Sequence, residues 1–208
     1  MYIPKAFRED DLAQLHALMQ QNYFAILVSQ QDGVPLATHL PFILDTTRGP
    51  YGTLLSHMAR ANPHWRSFNA AQESLVIFQG PHSYITPSWY DEPLSVPTWN
   101  YAAVHAYGRP RIIEDVTEMR ALMETLTQQS EAHFEQPWQL SGLPHDFVEK
   151  KLPGTVCFAM EITRLEGKFK LSQNRPASDR IRVADALQDS PDPLSQGVSA
   201  LMKERQKK

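Results

Sequence analysis

Apolar residues recur along this chain at two different spacings. Near the start, Leu12, Leu15, Leu18 and Met19 form a stripe at helical spacing, and with Asp10 as N-cap they predict a helix over Asp10 to Gln21. The period then shortens. Tyr23 to Val28 reads as a buried strand, Asp32-Gly33 as a hairpin turn and Pro35 to Leu44 as the returning strand. A turn at Arg48-Gly49-Pro50-Tyr51-Gly52 leads into a strand at Thr53 to His57. Asn62-Pro63 has the form of a helix start, with Asn as cap and Pro at the first helical position, and predicts a helix to near Ala71.

Short strands at Leu75 to Gln79 and Ser83 to Thr86 flank Gly80-Pro81, and Thr98 to Ile113 has strand character throughout. Asp115 with Glu118 resembles a capping box, opening a helix to about His133 with Met119, Leu122, Met123 and Leu126 inward. Pro144 to Lys151 predicts a short helix, Thr155 to Thr163 a strand that Phe169 to Leu171 extends, and Asp179 to Leu187 and Leu194 to Gln206 two final helices. Short strands edged by helices, without βαβ alternation, predict an α+β, barrel-like domain and argue against a Rossmann fold. One domain over residues 1–208 is expected, with 175–208 as a helical C-terminal extension.

Composition narrows the picture further. Hydrophobic residues make up 42% and aromatics 10% of 208 residues, enough for a packed core. No apolar run has the length of a membrane span, and the first residues lack the layout of a secretion signal. The single cysteine, Cys157, sits in an apolar stretch and excludes an internal disulfide. Together these predict a cytoplasmic protein. A net charge of −3 supplies no global field for nucleic acid. The one concentrated basic patch is Lys203 to Lys208, which reads more readily as a solubilising tail than as a phosphate grip. Five of the eight histidines fall between His39 and His105, but helical His pairs and neighbouring carboxylates are lacking, so no metal is expected.

The segments Pro35 to Pro41 and Leu54 to Trp65 carry the most chemistry. Thr38 and His39 interrupt an apolar strand, and Ser56, His57 and Arg60 close another just before the Asn62 cap. A phosphate ester is held by such groups: a guanidinium fork, a hydroxyl, main-chain N–H groups and a helix N-terminus. Local spacing by itself favours the plainer reading, that His57 and Arg60 are surface residues at a strand end.

A wider resemblance changes that weighting. Met1 to Phe7, Ala37-Thr-His-Leu-Pro-Phe42, His57-Met-Ala-Arg-Ala-Asn-Pro-His-Trp65 and Pro81 to Tyr90 resemble the signature of the PaiB-type family. Val96 to Tyr101, His105 to Gly108 and Gly167 to Asn174 continue it in order over nearly the whole chain. That family is described as FMN-binding negative transcriptional regulators with the split-barrel fold also used by pyridoxamine phosphate oxidase.

The resemblance implies FMN as cofactor and a homodimer with flavin at the subunit interface. It places Ala37, Thr38, His39 and Leu40 along the flavin, and Ser56 and Arg60 at the phosphate. Gln79 matches a glutamine at the ribityl or phosphate end in the oxidases. Those oxidases carry adjacent basic residues, whereas Ala59 precedes Arg60 here, which makes His57 a candidate substitute. Tyr84, Trp89, Tyr90, Trp99 and Tyr101 could wall a flavin ring or belong to core and dimer interface. Lys168 and Lys170 could reach a neighbouring subunit's flavin or serve as edge-strand charges. The reading favours a flavin-dependent transcriptional regulator with DNA as a possible partner; the alternative is an oxidoreductase passing electrons from NAD(P)H to a small acceptor.

Overall fold

The computed structural model describes residues 1–69 and 71–206. Its elements are β1 (Arg8–Glu9), α1 (Leu12–Gln21), β2 (Phe24–Gln31), β3 (Val34–Pro41), β4 (Ile43–Asp45), β5 (Thr53–Ala59), β6 (Ser74–Ile85), β7 (Thr98–Ile113), α2 (Val116–Glu131), α3 (His145–Lys151), β8 (Thr155–Lys170), α4 (Ala177–Gln188) and α5 (Pro193–Gln206). The strands order as β3-β2-β6-β7-β8-β5-β4, with β1 added onto β8. The chain divides into two compact units. One holds Met1–Leu18, Gln79–Val104 and the residues from Glu166 onward; the other holds Met19–Phe78 and His105–Leu165.

In the second unit, β2 and β3 form a hairpin whose turn places Asp32 at φ 52° and Gly33 at φ 81°, the left-handed pair that an Asp-Gly type I′ turn requires. Alternate residues of β2 are buried, with Leu27 fully enclosed. The returning segment is two strands, because the chain leaves the hairpin at Phe42 and Ile43 to Asp45 pair instead with β5. Phe42, Phe78 and Phe158 meet edge to face in the core, and Phe68 packs on Phe158. α2 buries Met119, Leu122 and Leu126 against Ile43, Ile113 and Ala159. Asp115 caps it by accepting the Glu118 N–H at 2.8 Å.

In the first unit, α4 and α5 pack together through Val183, Leu187, Val198 and Met202, and the Ser199 hydroxyl donates to the Ala184 carbonyl. Their sheet-facing contacts include Ser83 to Ser195 and Asn100 to Met202. The chain turns out of β8 at Ser172, whose φ of 62° is held by Asn100 donating to its hydroxyl at 2.9 Å. Met1 ties the N-terminus down through its ammonium on Glu166.

Several boundaries differ from the sequence pattern. Asp11, not Asp10, accepts the Ala13 N–H at the start of α1. Strand β6 runs unbroken through Gly80-Pro81, since the glycine serves close approach rather than a turn: a Cβ there would lie 3.0 Å from the Ala102 carbonyl and from Leu18. The predicted helix from Asn62 to Ala71 is instead a single 3-10 segment, Pro63–Ser67, and Ala70 lies outside the described residues. Five residues generate little macrodipole, so the anion-attracting helix end expected there is weak. Among the described residues no helix is long and apolar enough to cross a membrane.

Candidate functional site: a strand edge and its histidine

Strand β3 ends the sheet order, so its second backbone edge has no strand partner among the described residues. Its side chains alternate: Ala37 and His39 are exposed, whereas Thr38 is half-buried and Leu40 buried on the other side. The His39 ring stacks on Phe24 at 6.3 Å. Thr38 pairs in register with Leu27, so its hydroxyl lies on the core-facing side of the hairpin.

That hydroxyl is the centre of a small polar network. Thr38 Oγ1 lies 2.7 Å from His64 Nδ1 and accepts from Asn62 Nδ2 at 3.4 Å. The Asn62 side chain in turn accepts the His64 N–H at 3.0 Å, which locks the segment that holds the imidazole. His64 is 2% exposed, and its Nε2 has no hydrogen-bond partner among the described residues. Hydrogen counting among the described residues favours one tautomer. A proton on Nε2 would leave a buried N–H without an acceptor, the costlier defect, whereas a proton on Nδ1 leaves only a bare acceptor. With Nδ1 protonated, Thr38 Oγ1 accepts from two nitrogens, and its own O–H is free to donate outward. Burial holds the His64 imidazole below its usual pKa, which keeps it neutral.

The phosphate candidates are placed differently from one another. Ser56 is fully buried and its hydroxyl donates to the Pro41 carbonyl at 2.7 Å. His57 has a buried Nδ1 with no partner among the described residues, and desolvation lowers its pKa. Arg60 is exposed; its Nε donates to the Pro153 carbonyl at 2.6 Å and one terminal nitrogen to the Thr155 carbonyl at 2.9 Å. The Trp65 indole donates back to the Arg60 carbonyl and lies within cation–π distance of both Arg60 and Arg66. Neither arginine has a carboxylate partner among the described residues. Two guanidinium groups without a carboxylate partner among the described residues fit the demands of a phosphomonoester. His64 and Arg66 are not legible as site residues in the sequence: the only signal for His64 is a histidine immediately after the Asn62-Pro63 pair.

The remaining candidates belong to the other unit. Gln79 is exposed, with its amide 3.3 Å from the His82 ring. Trp99 is 53% exposed and stands edge-on to Tyr84 at 6.0 Å. Lys170 donates to the Trp99 carbonyl at 2.7 Å and to Thr98 Oγ1. Burial lowers the Lys170 pKa, and the Lys168 charge lowers it further. Lys168 itself is 8% exposed, between the rings of Tyr101 at 5.2 Å and Tyr2 at 5.6 Å. The tail residues Lys203 and Arg205 pair with Asp185 and Glu9, while Lys207 and Lys208 lie outside the described residues.

Sheet order, edge strand and flanking helices define an α+β split barrel with peripheral helices. Residues 1–164 match the family described as "Putative FMN-binding domain", and the chain belongs to that family, with FMN as its cofactor. It is 36% identical over 208 residues to the Protease synthase and sporulation protein PAI 2 of Bacillus subtilis (strain 168), covering 100% of this chain and 99% of that one. It is 32% identical to an uncharacterized protein of Emericella nidulans over 99% of this chain and 97% of the relative. The solved FAD and heme binding protein from Mycobacterium smegmatis has the same fold at 17% identity, with a TM-score of 0.61 over 84% of this chain and 78% of that one. Cys157 is buried, and desolvation pushes its thiol up to about 11, which leaves it unreactive.

Proposed function

We propose that this protein is a homodimeric, FMN-dependent negative transcriptional regulator of the PaiB type. The observation that carries the reading is the full-length 36% identity to the Bacillus subtilis PAI 2 protein, a protein named for protease synthesis and sporulation. In this reading the FMN isoalloxazine and ribityl chain lie along Ala37, Thr38, His39 and Leu40, with the free Thr38 O–H donating to the cofactor. Arg60 holds the phosphate with its uncommitted terminal nitrogen; Arg66 adds charge. Ser56 and His57 support the phosphate end from beneath, the serine by fixing the Pro41 carbonyl. Gln79, Trp99 and Lys170 are the further cofactor-binding residues that the family resemblance proposes. When bound, the flavin supplies a two-electron redox centre, and its state or occupancy alters the contact with DNA.

The homodimer reading is supported by apolar side chains that a monomer leaves in water: Leu94 is 93% and Val96 71% exposed. DNA contact has no basic field behind it at a net charge of −3, so a local patch must supply it.

Purified protein is expected to show a flavin absorption spectrum that saturates on adding FMN. Arg60→Ala is expected to raise the FMN Kd about tenfold, the size of one charge-assisted hydrogen bond. An unchanged Kd removes Arg60 from the phosphate. Promoter enrichment in a genomic pull-down tests regulation, and its absence together with steady NAD(P)H consumption by the loaded protein would replace regulation with redox turnover.

A further inference from the structure

The first unit holds a cavity of about 350 Å³, built from residues that the flavin reading does not use. That volume suits a small molecule, since ligand pockets run from about 300 to 1,000 Å³. The start of α1, the end of β8 and the two C-terminal helices all contribute to its walls. On α5 the spacing of Leu201, Glu204 and Arg205 puts them on one face of the helix. Helix α4 packs directly on α5, with Ser199 bonded to the Ala184 carbonyl, and brings Arg180 to the same space.

The charged groups lining this cavity divide into committed and uncommitted ones. Glu9 uses both of its oxygens: Oε1 accepts the Asp11 N–H at 3.0 Å and Oε2 accepts from Arg205. Arg205 also lies over the Phe169 ring at 5.2 Å. Asp11 spends Oδ1 on the Ala13 N–H at the start of α1. Arg180 is different. Its Nε is buried without a hydrogen-bond partner, and among the described residues no carboxylate pairs with its guanidinium. Glu204 accepts only a long bond from Gln14 Nε2 at 3.5 Å and meets no cation among the described residues. One guanidinium and one carboxylate thus line the same cavity without forming an ion pair with each other. A buried N–H without an acceptor is rare in a folded protein, and the empty space beside this one is where its partner fits.

We propose that this cavity binds a free aliphatic α-amino acid as its zwitterion, with the carboxylate on the Arg180 fork, the ammonium on Glu204 and the side chain against Phe169 and Leu201. A zwitterion suits the cavity better than an anion or a cation, because either of those would satisfy one uncommitted group and leave the other unpaired. The two groups come from helices packed on each other, so a short gap separates them. That favours a carboxylate and an ammonium borne on one carbon over charges at the two ends of a long chain. The apolar patch of Phe169 and Leu201 selects an aliphatic side chain, and the acidic rim of Glu9 and Asp11 disfavours an acidic one. The site holds whether or not the flavin contacts are as proposed.

The test is calorimetric titration of the full-length protein, FMN-free and FMN-saturated, at constant ionic strength. The probes are leucine, 4-methylpentanoate (leucine without its ammonium), 3-methylbutylamine (leucine without its carboxylate) and glutamate. Leucine is expected to bind best in both forms of the protein, with each half-analogue weaker by about tenfold, the size of one charge-assisted hydrogen bond. Arg180→Met is expected to raise the leucine Kd by about tenfold and to leave 3-methylbutylamine unchanged. Glu204→Gln, at an exposed position, is expected to do the same to leucine and to leave 4-methylpentanoate unchanged. No heat from leucine at millimolar concentration, a leucine Kd unmoved by either substitution, or glutamate binding as tightly as leucine overturns the proposal. Displacement of leucine by FMN also overturns it and assigns the cavity to the flavin. Should Arg180→Met fail to fold, Glu204→Gln and the half-analogues decide. A protein that binds no FMN but passes the leucine arms would overturn the flavin contacts alone.

Discussion

At the scale of single residues, the informative group is Thr38 with His64 and Asn62. With His64 protonated on Nδ1, two nitrogens donate to the Thr38 oxygen and the hydroxyl proton goes elsewhere. Thr38→Val keeps the shape and deletes that proton. It is expected to raise the FMN Kd about tenfold while also leaving His64 Nδ1–H buried without an acceptor, so stability should fall by about 1–3 kcal/mol. Thr38→Ser restores the hydroxyl and should recover both, measured by flavin titration and thermal unfolding. Nitrogen-15 shifts of the His64 ring in the flavin-free protein check the tautomer directly: a protonated Nε2 would remove the argument for an outward Thr38 donor. Thr38 was legible in the sequence as a polar interruption of a strand. His64 was not, because nothing in a one-dimensional pattern shows that a 3-10 segment turns its ring into the hairpin.

At the scale of elements, the Asn62 and Asp115 caps and the Asp32-Gly33 turn were legible in sequence, whereas the Asp10 cap and several element lengths were not. Asp115 holds the start of α2 as its spacing to Glu118 implies, and it is an exposed contact whose loss should not propagate. Asp115→Ala is expected to destabilise by about 1 kcal/mol and lower Tm by about 2–4 °C, seen by calorimetry. The errors came where an element's continuation depends on a distant neighbour. Gly80-Pro81 has the composition of a turn, yet β6 runs on because Ala102 and Leu18 sit where a glycine is needed for close approach. The helix at Asn62 has a proper cap but stops after five residues. Local signals mark where an element starts; packing decides where it stops.

At the scale of the whole molecule, pH and association are the accessible tests. His57 and His64 both have pKa values lowered from 6.5 by burial. The unfolded chain therefore binds protons on these rings before the folded one does. Stability is at full value above pH 6.5 and is lost progressively as pH falls through the lower folded-state values. Denaturant midpoints measured from about pH 7.5 to 5 should decline accordingly, and His57→Gln should flatten part of the slope. Association is read by light scattering: the wild type is expected as a dimer, and Leu94→Glu with Val96→Glu is expected to shift it to monomer and, with the flavin expected at the subunit interface, to weaken FMN binding. A wild-type monomer at every concentration would remove the homodimer.

The sequence by itself determined the class of fold, the periods of its strands and helices, the family and its cofactor, because each is written in local spacing or in an ordered set of motifs. It also marked Thr38 and Arg60 as residues worth testing. Only the tertiary structure decided which neighbours the marked hydroxyls meet: Ser56 spends its own on the Pro41 carbonyl, whereas Thr38 lies against His64 Nδ1. The same holds for Lys168, which looked like an edge-strand lysine until it was found buried between Tyr2 and Tyr101. The physical reason is common to both. Donor availability and charge compensation are set by neighbours far along the chain, and linear spacing carries no record of them.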